Sequence, residues 1–80
     1  MKKEIEEAIK SLKEISEDLT VPKNVRNACK LAIESLNSDE EFAIRVNSAL
    51  SFLDLIADDQ NMPIYARTKI WNIVSILERY

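Results

Sequence analysis

The chain contains no glycine and only two prolines in 80 residues, and this shortage of turn-forming backbone constrains its fold more than any other feature. Tight hairpin turns need residues that enter positive φ at little cost, and phosphate-binding loops need glycine so that the backbone can approach the anion. Sheet proteins, P-loops and dinucleotide-binding turns are therefore disfavoured. What remains is helices joined by short polar connections.

The apolar residues recur at the helical spacing. Ile5, Ala8, Ile9, Leu12, Ile15 and Leu19 fall on one stripe of a helix running from Lys3 to Asp18, with Glu and Lys interleaved on its outer face. Thr20, Val21 and Pro22 break that helix and open another, with Thr20 as its expected cap. The second helix runs to about Leu36 and buries Val25, Ala28, Cys29, Ala32 and Leu36, with Ile33 at the margin. Asn37 or Ser38 is expected to cap a third helix whose first turn holds Asp39, Glu40 and Glu41, where the helix dipole favours negative charge. Its inner face is Phe42, Val46, Ala49, Leu50, Leu53, Ile56 and Ala57, and Asp58–Asn61 ends it. Pro63 then marks the first turn of a fourth helix carrying Ile70, Trp71, Ile73, Val74 and Leu77.

No segment is left for a strand. Short connections make successive helices antiparallel neighbours, so residues 1–80 are expected to form one all-α domain, an up-and-down bundle of four helices. A chain of this length has room for one core and not two.

A shift of about 41 residues aligns Asp18 with Asp59, Pro22 with Pro63 and Arg26 with Arg67, together with Ala8 and Ala49, Leu12 and Leu53, Ile15 and Ile56, and Leu36 and Leu77. Apolar matches arise whenever two helical hairpins are compared, so the polar and proline matches carry the case for a duplicated hairpin. The unit resembles the hairpin of HEAT proteins, with an inter-helix aspartate and a second helix opening Val25-Arg26-x-Ala28. Open arrays need about three repeats to bury a continuous core, and two hairpins close more readily on each other.

Composition narrows the chemistry. With 46% apolar and 31% charged residues the chain has enough to bury for a folded domain. Its net charge of −3 disfavours a polyanion as partner. The single cysteine, Cys29, lies in an apolar stripe, which excludes an intrachain disulfide and suits a reduced, cytoplasmic setting. Met1–Glu7 is charged and no apolar run reaches the roughly 20 residues of a membrane span, so neither a signal peptide nor an anchor is expected.

Histidine is absent, which removes the usual general base and the commonest transition-metal ligand. Cys29 has neither a base nor a cation in its stripe to generate thiolate. Asp54 and Asp58 share a helix face next to Asp59 and are the one conceivable carboxylate metal site, although a solvated face explains them as well. No catalytic residue, metal ligand or cofactor is assigned.

The least ordinary stretch is Asn61–Asn72, where the only tryptophan sits among polar and cationic residues. Aromatics and arginine dominate binding hot spots, and Arg67 and Trp71 share a helix face, so Tyr65, Arg67, Thr68, Trp71 and Asn72 form the candidate interaction surface. The competing structural reading fills the core with Trp71 and pairs Arg67 with Asp58 or Asp59, and Arg26 with Asp18, as ion pairs repeated in both hairpins. A third reading combines Lys23, Arg26, Lys30, Arg67 and Lys69 with Tyr65 and Trp71 as an RNA surface.

The run Asn61-Met62-Pro63, Ala66-Arg67-Thr68 and Ile70-Trp71-Asn72-Ile73-Val74-Ser75, with the earlier Val21-Pro22-Lys23-Asn24-Val25-Arg26, resembles a small archaeal group, uncharacterised protein family 0147. The resemblance implies a helical bundle in an archaeal cytoplasm and carries no activity and no catalytic residues.

The leading expectation is a noncatalytic protein-interaction or self-assembly module. The apolar residues Leu31, Ile44, Phe52, Leu55, Ile64 and Ile76 fall outside the narrow stripes and would serve a homo-oligomer. An RNA-binding accessory protein and a carboxylate metal protein are the alternatives.

Overall fold

The computed structural model describes residues 2–80 as α1 (Lys2–Ser16), α2 (Lys23–Leu36), α3 (Phe42–Asp54) and α4 (Ile64–Leu77), with no strand among the described residues. Helix α1 packs beside α2 and α4, and α3 packs beside the same two, so the helices close into a ring. This is the closed four-helix bundle rather than an open array.

Each helix buries the centre of the stripe its sequence marks, while Phe42, Leu50, Ala57 and Val74 at the margins are half-buried and Leu19 and Trp71 are exposed. Leu12, Ile15, Val25, Cys29, Leu53 and Ile70 are fully enclosed, joined by Val46, Ala49, Ala66 and Leu77. Burial of such side chains contributes roughly 1.5–3 kcal/mol each for the larger ones, the term that holds a bundle this small together.

The helix ends depart from expectation in four places. Helix α1 stops at Ser16, whose hydroxyl donates to the Lys13 carbonyl at 2.8 Å, and the chain then turns on Asp18. The Asp18 carboxylate accepts from the Thr20 amide at 2.8 Å and the Thr20 hydroxyl at 2.7 Å. Thr20 is thus committed to that turn and caps nothing, while Leu19, placed by its spacing on the α1 stripe, is carried outward to 82% exposure.

Helix α3 begins at Phe42 rather than after Ser38. The amides of Asn37 and Ser38 close the end of α2 on the carbonyls of Ile33 and Ser35, and the Ser38 hydroxyl also donates to Ser35. Neither residue is free to open α3, and Asp39–Glu41 lie in the connection. At its far end α3 gives way after Asp54 to tighter turns, with the amides of Leu55 and Ile56 donating to Phe52 and Leu53. Those turns still deliver Ile56 into the core.

The two hairpins repeat each other in detail. The amide of Asp18 donates to Ile15 and that of Asp59 to Ile56; Thr20 and Asn61 donate their amides to Asp18 Oδ1 and Asp59 Oδ1; Arg26 and Arg67 donate theirs to Pro22 and Pro63. The remaining oxygen of each aspartate crosses to the other hairpin. Asn24 Nδ2 donates to Asp59 Oδ2 at 2.8 Å, and Tyr65 Oη donates to Asp18 Oδ2. Asn24 and Tyr65 correspond under the same shift, so the crossed bonds are related by an approximate twofold along the bundle.

Truncation tests this core. Leu12→Ala and Leu53→Ala are each expected to cost about 2–5 kcal/mol in urea unfolding, whereas Leu19→Ala should stay within about 0.5 kcal/mol of the parent. A large loss at Leu19 would return that residue to the core.

Candidate functional site

Helix α4 does not present its candidate residues as one patch. Tyr65 and Asn72 turn toward α1: Tyr65 reaches Asp18, and Asn72 lines a groove with Glu7, Ser11 and Lys69. Arg67 and Trp71 turn toward α3, and Trp71 lines a groove with Asp54, Ala57 and Val74. Thr68 is exposed between them. The cause is the helical period, which separates residues of a continuous run by about 100° each. The grouping of all five therefore gives way to two surfaces.

Trp71 is a surface residue, 65% exposed, and does not fill the core. Its neighbour Arg67 is half-buried and sends Nη2 to the Asp59 main-chain carbonyl at 3.0 Å, while its Nε is buried without a partner. Among the described residues no cation–π contact joins Arg67 to Trp71; the one formed is Arg45 over Phe42, 5.3 Å from the ring centroid.

The expected ion pairs Asp18–Arg26 and Asp59–Arg67 are not made either. Arg26 Nε donates to the Val21 carbonyl at 3.0 Å, so both arginines serve main-chain acceptors in the corners. The carboxylates are already taken by the turn amides and by Asn24 and Tyr65. Ion pairs among the described residues are Lys69–Glu14 at 2.6 Å and Arg79–Glu4 at 3.0 Å. Both are exposed, where such pairs contribute less than about 1 kcal/mol.

The electrostatics follow these contacts. The Tyr65 hydroxyl, then the Thr20 donors, hold the Asp18 carboxyl below the usual range. Asn24 does the same for Asp59, aided by the Asn61 amide and the nearby Arg67. Tyr65, donating to a carboxylate, is pushed up to about 12, and burial alone pushes the Cys29 thiol up to about 12. Cys29 is fully enclosed and stays a thiol, which denies it a nucleophile's role.

Among the described residues no three or more of His, Cys, Asp and Glu gather in a group that could hold a metal ion. Asp59 is committed to its corner, which breaks up the set Asp54, Asp58 and Asp59. The cations of the RNA reading are dispersed too: Arg26 and Lys30 line a groove against α1, Lys69 is paired with Glu14, and Trp71 faces α3. No described helix is long and apolar enough to cross a membrane.

The apolar residues outside the stripes prove more informative. Leu55 is 80% exposed and Ile64 83% exposed, and Leu31 and Ile44 are exposed as well, while Phe52 and Ile76 are half-buried. Leu31, Phe52 and Leu55 share one groove between α2 and α3 with Asn24, Asn27, Ala28 and Ile56. Spacing marked these residues as surplus to the core, and the bundle's geometry gathers three of them in one place.

Two measurements follow. Trp71 is the sole tryptophan, so its native emission should already lie close to that of the urea-unfolded chain; a large red shift on unfolding would place it in the core. Asp18, Asp59 and Glu14 have folded-state pKa values below their unfolded values, so the unfolded chain binds more protons in acid. Their stabilisation is full above about pH 5 and lost as pH falls through the lowered values, so the melting temperature should be level from about pH 6 to 8 and decline below about pH 4.

Comparison with known proteins agrees with this geometry. The profile of the family described as "Uncharacterised protein family (UPF0147)" matches residues 1–80. A UPF0147 protein of Archaeoglobus fulgidus is 42% identical over 98% of this chain and 90% of its own length. A crystal structure of a UPF0147 protein from Thermoplasma acidophilum superposes with a TM-score of 0.88 at 37% identity, covering 98% of this chain and 93% of that one. A second, described as the unknown function protein MMP1188, gives 0.87 at 44% identity over 96% and 89% of the two chains. The Asn61–Ser75 run, the closed bundle and the full-length match together establish that this chain belongs to the uncharacterised protein family UPF0147.

Proposed function

We propose that this chain is a noncatalytic protein-interaction module of the archaeal cytoplasm, with self-association as its simplest form. What supports the reading is the apolar cluster left outside the enclosed core: Leu31, Phe52 and Leu55 line one groove between α2 and α3, with Leu55 80% exposed. Monomeric surfaces carry scattered apolar residues, but clustered ones mark contacts. The outward residues of α4, Ile64, Thr68 and Trp71, remain the candidate contact on that side.

The absence of histidine and the fully enclosed Cys29 support a noncatalytic role. The chemistry left to the surface is that of helix faces. Cations spread over separate grooves give RNA less to hold than a continuous basic strip does.

Light scattering after size exclusion, with absorbance read at two wavelengths across the peak, tests this reading. A discrete oligomer free of nucleic acid is the expected result. Nucleic acid that co-elutes and is released by salt overturns it in favour of the RNA-binding alternative.

A further inference from the structure

The approximate twofold supplies an internal control for the grooves between helices. Lys13, Ser16, Lys30 and Ile33 all line the groove between α1 and α2. Under the 41-residue shift these positions become Asp54, Ala57, Trp71 and Val74, and all four line the groove between α3 and α4. Ile33 and Val74 keep the same half-buried apolar wall. The two lysines, however, give way to a carboxylate and an indole. One hairpin presents ammonium groups at the two places where the other presents groups that attract a cation.

No cation of the chain itself answers them. Among the described residues nothing pairs with the Asp54 carboxylate, and no cation lies over Trp71, which is 65% exposed. Arg67, one turn earlier on the same side of α4, is engaged with the Asp59 carbonyl. Asp54 is the only charged residue among those lining the groove.

We propose that the α3/α4 groove receives a lysine or arginine side chain presented by a basic segment of another protein, with the Trp71 face and the Asp54 carboxylate as its two contacts. The inference rests on the interaction-module reading and specifies the chemistry of one partner. An indole face carries the negative side of the ring quadrupole and is the best aromatic surface for a cation, and a nearby carboxylate supplies the counter-charge. The chain's net charge of −3 adds a long-range pull in the same direction.

The lining selects among cations. A calcium or magnesium ion needs six or more oxygen ligands, counting waters, and an indole supplies none. A lysine or arginine side chain also brings a methylene stem, for which Ala57 and Val74 provide the wall. The recess of about 190 Å³ lies below the roughly 300 Å³ at which small-molecule pockets begin, so it suits the end of one side chain. Such a contact is weak alone and gains strength within a larger docking. Ile64, 83% exposed, and Thr68 continue the outward stripe of α4 beside Trp71 and give the rest of the segment a surface to lie on.

Trp71 is the only tryptophan, so its emission reports on the groove directly. Titration at low salt with an oligolysine peptide that lacks aromatics should change that emission saturably, and an oligoglutamate of equal length should not. With a labelled oligolysine followed by anisotropy, Asp54→Asn and Trp71→Leu should each weaken binding about tenfold. Both sites are exposed, so both variants should keep the parent's circular dichroism. Glu7→Gln removes one negative charge from the α1/α4 groove and should change the affinity by less than about twofold.

An unchanged Trp71 emission across the oligolysine titration overturns the proposal. Equal losses in Asp54→Asn and Glu7→Gln overturn it too, because they reduce the binding to diffuse attraction. Saturation by butylammonium at the same concentration would assign the groove to a free amine instead of a partner segment. Each of these results leaves the interaction-module reading to its own test, the light scattering of the chain alone.

Discussion

Closure of the apolar stripes is the condition on which this molecule depends. A chain of 80 residues exposes much of its surface, and ordering its backbone consumes nearly all that burial returns. No helix can be spared. Each stripe has a partner on two sides, so the enclosed residues Leu12, Val25, Leu53 and Ile70 come one from each helix. Turns that lack glycine are tolerated because aspartate, with its own carboxylate, supplies the acceptors that a freer backbone would otherwise find.

The crossed bonds from Asp18 and Asp59 then do something the core cannot. Apolar packing is weakly directional, and two hairpins could slide along each other with little change in buried area. Each aspartate grips its own corner with one oxygen and the first turn of the opposite hairpin with the other, which fixes the register at that end of the bundle. As exposed hydrogen bonds they add modest stability. Their contribution is geometric.

The element types, their order and the closed bundle were legible in the sequence because they follow from periodicity and from proline placement, both local signals. The buried set of α2 was read residue by residue, whereas in α4 Ile70, Ile73 and Leu77 were found, Ala66 was missed, Val74 is half-buried and Trp71 is exposed. Trp71 lies one helical step from the core residue Ile70, and periodicity alone does not say how wide a buried stripe is. Helix ends were less legible because several donors compete for each of them. Thr20 had a helix to cap and an aspartate to bind, and the aspartate won. The expected arginine–aspartate ion pairs failed for the same reason: charge suggested them, but nearby amides and main-chain carbonyls offered shorter routes. The repeat was visible as matching residues, yet its meaning for the surface emerged only when the twofold set Asp54 and Trp71 in the places of Lys13 and Lys30.

At the pole away from the aspartate corners, Glu4 accepts from Arg79 at 3.0 Å and from the Tyr80 hydroxyl at 2.9 Å, and Tyr80 stands edge-on to Phe42. The start of α1, the last residues after α4 and the beginning of α3 therefore meet in one neighbourhood. A salt bridge and a hydrogen bond thus tie the first turn of one hairpin to the residues that close the other, and an aromatic edge adds the start of α3, so the α1/α4 side of this pole is held by contacts between residues more than seventy positions apart and not by a connection.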